Sequence, residues 1–85
     1  MADWYVYMVR CADQSLYTGV TTDLQRRVDE HNSQRKAARY TRVRQPVTLV
    51  YSEAQTDRRA ACQRESAIKR LTRAQKLSLI AQLCD

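Results

Sequence analysis

Phenylalanine is absent from the chain, and glycine, proline, histidine and tryptophan occur once each. With so little glycine and proline, and no low-complexity run, no segment reads as a linker, so residues 1–85 are expected to form one domain. Cysteine is sparse and poorly placed for cross-linking. Cys11, Cys62 and Cys84 are odd in number, far apart and without a CxxC pair, which argues against a disulfide framework and, with one histidine, against a structural zinc site. No stretch approaches the roughly 18 apolar residues of a membrane span. Met1-Ala2-Asp3-Trp4 lacks the basic and apolar regions of a secretory signal, so the expected setting is the cytoplasm, with no membrane partner. At 85 residues and 9.9 kDa there is no room for a second catalytic domain or a large ligand cavity. A chain this short buries only roughly 60% of its unfolded surface, so polar groups placed inside it are costly.

Acidic residues are also in short supply. Nine Asp and Glu stand against 15 Lys and Arg, for a net charge of +6, and 12 of the 15 bases are arginine. All but Arg10 fall into two blocks, Arg26 to Arg44 and Arg58 to Lys76. A guanidinium forks onto phosphate oxygens where an ammonium acts as a point charge, so nucleic acid is the natural partner. The competing reading is a solvated basic face with no ligand.

The apolar residues are patterned. Trp4 to Val9 and Leu16 to Val20 are aromatic and β-branched runs separated by Ala12-Asp13-Gln14-Ser15, which predicts a β-hairpin. Thr22 or Asp23 then caps a helix over about residues 23–33, with Leu24, Val28 and His31 on one side. A basic stretch, irregular or briefly helical, leads to Pro46, and Val47 to about Ala54 form a third strand. Thr56 or Asp57 caps a helix carrying Ala60, Ala61, Ile68 and Leu71. Thr72-Arg73-Ala74-Gln75 matches the capping box, opening a last helix with Leu77, Ile80, Ala81 and Cys84 at helical spacing. The predicted class is α+β, with a small three-stranded antiparallel sheet flanked by helices in the order ββαβαα.

Candidate chemistry begins in the hairpin, with Tyr5-Val6-Tyr7 and Tyr17-Thr18-Gly19, and continues with Arg27 and His31 one helical turn apart and Glu65 further on. Tyr7 and Tyr17 share a face of the hairpin only if its register is even. Gly19 is expected at the end of the second strand, where backbone turns sharply or approaches a phosphate. Arg27 and His31 are expected at the edge of the core.

This ordered set resembles the GIY-YIG nuclease domain, and more narrowly its small stand-alone members; the resemblance covers essentially the whole chain. It implies a divalent-metal-dependent endonuclease that hydrolyses DNA phosphodiester bonds with low sequence specificity, in DNA repair or recombination. It implies Tyr17 as general base toward water, Tyr7 holding the water or phosphate, Arg27 on the scissile phosphate with His31 beside it, and Glu65 as sole protein ligand of Mg2+ or Mn2+. Arg26, Lys36, Arg39, Arg42, Lys69 and Arg73 are the candidate nucleic-acid contacts, DNA being favoured over RNA. Two departures stand out: Tyr5 replaces the first glycine of the family's first triplet, and Val20 stands where some relatives carry lysine.

Elementary chemistry supports the same division of labour. A phenol titrates near 10, so as a base at neutral pH it needs nearby cations or a group that takes its proton onward. General-base help is worth about 10² to 10⁴ in rate, with charge neutralisation on the phosphate supplying the larger share. Each residue also has a plain reading. Tyr5, Tyr7 and Tyr51 fit strand residues capping a small core with hydroxyls at the surface, Glu65 and Lys69 fit an i, i+4 helix pair, and His31 fits a polar helix end. A nucleic-acid-binding module without turnover is the alternative function.

Overall fold

The computed structural model describes residues 3–33 and 35–83. Its elements run β1 (Trp4–Arg10), β2 (Leu16–Thr21), α1 (Leu24–His31), α2 (Arg39–Arg42), β3 (Thr48–Gln55), α3 (Arg58–Lys69) and α4 (Arg73–Leu83). The strands form one antiparallel sheet in the order β2-β1-β3. This is the expected α+β class and ββαβαα order, with α2 as a single turn of helix inside the basic stretch.

The local signals explain the boundaries. In the hairpin turn the Asp13 carboxylate accepts from the Ser15 backbone N–H at 3.0 Å and its hydroxyl at 2.5 Å, and Gln14 takes a left-handed φ of 72°. Asp23 caps α1 by accepting from the Arg26 N–H at 3.0 Å, and Asp57 caps α3 through the Ala60 N–H at 2.8 Å. The capping box of α4 is reciprocal: the Thr72 N–H donates to Gln75 Oε1 at 2.9 Å, and the Gln75 N–H to Thr72 Oγ1 at 3.2 Å.

Alternate residues of β1 point to opposite faces of the sheet. Val6 and Met8 enter a core with Tyr51, Ala61, Ile68 and Ile80, against which Leu71 and Leu79 pack. Tyr7 and Val9 enter a second core with Cys11 and Val47, covered by Tyr17, Leu24 and Val28. The sheet is thus filled by α3 and α4 on one side and by α1 and α2 on the other. Each fully buried Val, Ile or Met contributes about 1.5–3 kcal/mol.

One expectation needs correction here. Leu77 and Ala81 are exposed, and α4 presents Leu79 and Ile80 to the core instead; the capping box fixes the phase of the helix, and Leu71 just before it already docks the chain. Cys84, the last member of the expected stripe, lies outside the described residues. Arg26, Lys36, Arg39 and Arg42 belong to the α1–α2 layer, and Lys69 and Arg73 to the α3–α4 layer.

Candidate active site

The β1–β2 register pairs Tyr7 with Gly19 and Val9 with Tyr17, so Tyr7 and Tyr17 point to the same face of the hairpin. Gly19 lies inside β2, not at its end, and has no positive φ. Its role is spatial. A Cβ at this position would sit 2.6 Å from Tyr7 Oη and 2.8 Å from Cζ, so the glycine is what lets the Tyr7 ring lie across β2. The close approach foreseen for it is to a phenol.

His31 is brought beneath both tyrosines by α1, and the end of that helix is tied to the start of β3. Asn32 Nδ2 donates to the Val47 carbonyl at 3.1 Å while the Val47 N–H donates to Asn32 Oδ1 at 2.7 Å. Gln45 Nε2 caps the helix by donating to the His31 and Ser33 carbonyls, each at 2.8 Å. His31 is therefore not at the edge of the core but 0% exposed, and Tyr7 is 1% exposed, which also sets aside a surface hydroxyl for Tyr7.

Tyr7 Oη lies 2.6 Å from His31 Nε2, and His31 Nδ1 lies 2.8 Å from Thr41 Oγ1 on α2. The Tyr17 ring meets the His31 ring edge-on at 5.1 Å and leans against Tyr40 at 5.8 Å. Tyr40 carries the Arg44 guanidinium 3.9 Å over its ring, and Arg44 is anchored by Asp13 at 3.1 Å. Among the described residues, Tyr17 Oη makes no hydrogen bond, so of the two phenols only Tyr7 is committed to the protein.

Burial pushes the Tyr7 phenol up to about 12, with the Arg27 guanidinium beside it opposing and the charges of Tyr17 and Glu65 adding to the rise. Burial pushes His31 down to about 4, and Arg27 adds to that. At neutral pH the pair is a neutral phenol on a neutral imidazole.

Arg27 donates to Glu30 Oε1 at 3.0 Å and to the Lys36 carbonyl at 3.4 Å, with a quarter of its side chain exposed. Glu65 lies on α3 between Ala61 and Ile68, on the stripe that faces the sheet, and is near enough for its charge to act on Tyr7. Its carboxylate is paired with Lys69 at 3.4 Å, so the helix pair expected as the plain reading is present. No group of three or more His, Cys, Asp or Glu among the described residues is placed to hold a metal ion. A lone, mostly buried carboxylate is a hard oxygen donor that suits Mg2+ or Mn2+ only where water and phosphate oxygens complete the shell. Arg26, Lys36, Arg39, Arg42, Lys69 and Arg73 are all exposed.

Thr41 escaped the sequence reading. It is 0% exposed, and no apolar periodicity marks it, since buried Ala37, four residues before, lies outside α2.

A sheet of this order, carrying paired tyrosines over a helix-borne arginine and histidine with a glutamate on α3, is the frame of a nuclease family. Residues 3–78 match the family model of the GIY-YIG catalytic domain, and the chain belongs to that family. It is 56% identical over 77 residues to UPF0213 protein DP2720 of Desulfotalea psychrophila, covering 91% of this chain and 70% of the relative. It is 48% identical over 82 residues to UPF0213 protein SH2523 of Staphylococcus haemolyticus, covering 96% and 99%. The solution structure of UPF0213 protein BH0048 from Bacillus halodurans superposes with a TM-score of 0.60 at 42% identity, over 93% of this chain and 83% of that one. No helix among the described residues is long and apolar enough to cross a membrane.

Proposed function

We propose that this chain is a divalent-metal-dependent endonuclease that cuts DNA phosphodiester bonds with little sequence preference, in the cytoplasm and in the service of DNA repair or recombination. What carries the reading is the unequal treatment of the two phenols. Tyr7 is buried and bonded to His31, while Tyr17, on the same face and against the same imidazole, keeps its hydroxyl uncommitted among the described residues. Tyr7 orients a water or a phosphate oxygen, and Tyr17, as the phenolate left once its own proton has passed to solvent, draws the proton from the attacking water. Arg27 exchanges Glu30 for the scissile phosphate. Glu65, released from Lys69, holds Mg2+ or Mn2+, which when bound neutralises charge on the phosphate. Arg26, Lys36, Arg39 and Arg42 track the backbone of the nucleic acid, with Lys69 and Arg73 reaching it from the other layer; such contacts position without reading sequence.

Cleavage of labelled duplex, flapped and branched DNA, with RNA alongside, tests this in Mg2+ or Mn2+ against EDTA. Tyr17→Phe and Glu65→Ala are each expected to lower the rate by at least about 100-fold while leaving binding within a few fold. One observation favours a second reading, a binding module without turnover: Arg27 and Glu65 are both already ion-paired within the protein. Salt-dependent binding with every substrate intact, and with Tyr17→Phe and Glu65→Ala no different from the parent, would establish that reading and end the first.

A further inference from the structure

The chain of hydrogen bonds from Tyr7 through His31 continues into α2, and its far end fixes its direction. We propose that Thr41 is a positioning residue: its hydroxyl holds His31 in the tautomer with hydrogen on Nδ1, so that Nε2 accepts the Tyr7 proton and the Tyr7 oxygen presents only lone pairs. Thr41 Oγ1 has one proton and donates it to the Ala38 carbonyl at 3.1 Å. Toward His31 Nδ1, 2.8 Å away, it can then only accept, and Nδ1 must carry a hydrogen. The near end gives the same answer. The phenolic proton of Tyr7 is buried, and among the described residues the acceptor within reach is His31 Nε2 at 2.6 Å. The opposite tautomer would place Nε2–H against the phenol and leave the Tyr7 proton without an acceptor inside the core, which is costly. The relay therefore runs Tyr7 to His31 to Thr41 to Ala38, all donors in one sense.

The consequence for chemistry rests on the proposed nuclease reading. With its proton committed inward, Tyr7 can accept a hydrogen bond from water but cannot donate one, so it orients a nucleophile with a lone pair turned away from it. Thr41 touches neither water nor phosphate in this scheme; it acts through His31.

His31 is the one histidine in the chain, so nitrogen-15 histidine labelling gives a single pair of ring nitrogens, and long-range proton–nitrogen correlation spectra report which one is protonated. The expected spectrum of the parent protein near pH 7 shows Nδ1 protonated and Nε2 bare. Thr41→Val, which keeps the shape and removes the hydroxyl, is expected to give a mixture of tautomers or the Nε2–H form; Thr41→Ser is expected to restore the parent spectrum. On DNA, Thr41→Val is expected to lower kcat by up to about 100-fold with KM little changed, and Thr41→Ser to recover most of it. An Nε2–H tautomer in the parent protein overturns the proposal outright, as does a Thr41→Val variant that loses stability yet keeps the parent tautomer. Should Thr41→Val fail to fold, the parent and Thr41→Ser spectra still decide. If the parent cuts no substrate, the nuclease reading falls while the tautomer assignment is still judged by the spectra.

Discussion

On the α3–α4 side of the sheet the interior is Val6, Met8, Tyr51, Ala61, Ile68 and Ile80; on the α1–α2 side residues of the same depth include Tyr7, His31 and Thr41. Both sides are equally shut off from water, yet one is held by apolar contact and the other by a line of directional bonds. An apolar interior tolerates small shifts of its members, since dispersion is not directional. A hydrogen-bonded line does not, because each member left unpaired costs its desolvation in full. The first side should answer substitution mainly with lost stability, the second with lost geometry.

The largest effect expected on stability comes from the apolar side. Ile68 is fully buried, and Ile68→Ala should cost about 2–5 kcal/mol in denaturant unfolding, while the protein that remains folded keeps its cleavage rate. A loss under 1 kcal/mol would show that α3 repacks freely and that the contrast is overdrawn.

Acid should strike the other side. His31 is held neutral down to about 4, whereas in the unfolded chain it takes up its proton near 6.5. The native state therefore binds fewer protons than the unfolded state between those values. Stability is complete above about pH 6.5 and falls as the pH drops toward 4, by at most on the order of 3 kcal/mol from this one group. Comparing unfolding of the parent and of His31→Gln across pH 4–7 isolates it. Equal slopes would mean that His31 is not shielded from protonation.

Much of this was legible in the sequence, and what was not has a physical cause. The hairpin, the cap at Thr72 and the caps at Asp23 and Asp57, each one of two neighbouring candidates, follow from local rules that need few partners, whereas the shared face of Tyr7 and Tyr17 turned on a register that the sequence left open. The burial of His31 does not follow from such rules either, because a histidine at i+7 on an apolar stripe reads equally well as a helix end, and only its partners on β1 and α2 decide. Thr41 depends on a contact ten residues away that no periodicity marks. Gly19 was half legible for a similar reason: a lone glycine suggests a turn or a close approach to a phosphate, and the approach is made by the Tyr7 ring crossing from the neighbouring strand.

That crossing gives the next test. Gly19→Ala places a methyl where Tyr7 Oη and Cζ now lie, so the ring must move and its bond to His31 must lengthen or break. The expected cost is about 1–3 kcal/mol, modest beside Ile68→Ala, but cleavage should fall by about 100-fold or more. A variant with full activity would show that the position of Tyr7 does not matter, and the distinction between the two sides would fail.

The smallest effect concerns a place where the apolar side breaks its own rule. Thr18 pairs with Met8 and shares its face, is 3% exposed, and its hydroxyl has no hydrogen-bond partner among the described residues. On a purely apolar side such a group is a defect, and replacing it with a methyl of the same shape should help: Thr18→Val is expected to raise stability by about 1 kcal/mol with cleavage unchanged. The sign is what matters. A loss of stability would mean that the hydroxyl finds a partner in solution. A gain in stability accompanied by loss of cleavage would mean that an unpaired polar group, retained at a cost to folding, serves the site from beneath, on the side of the sheet that carries Glu65.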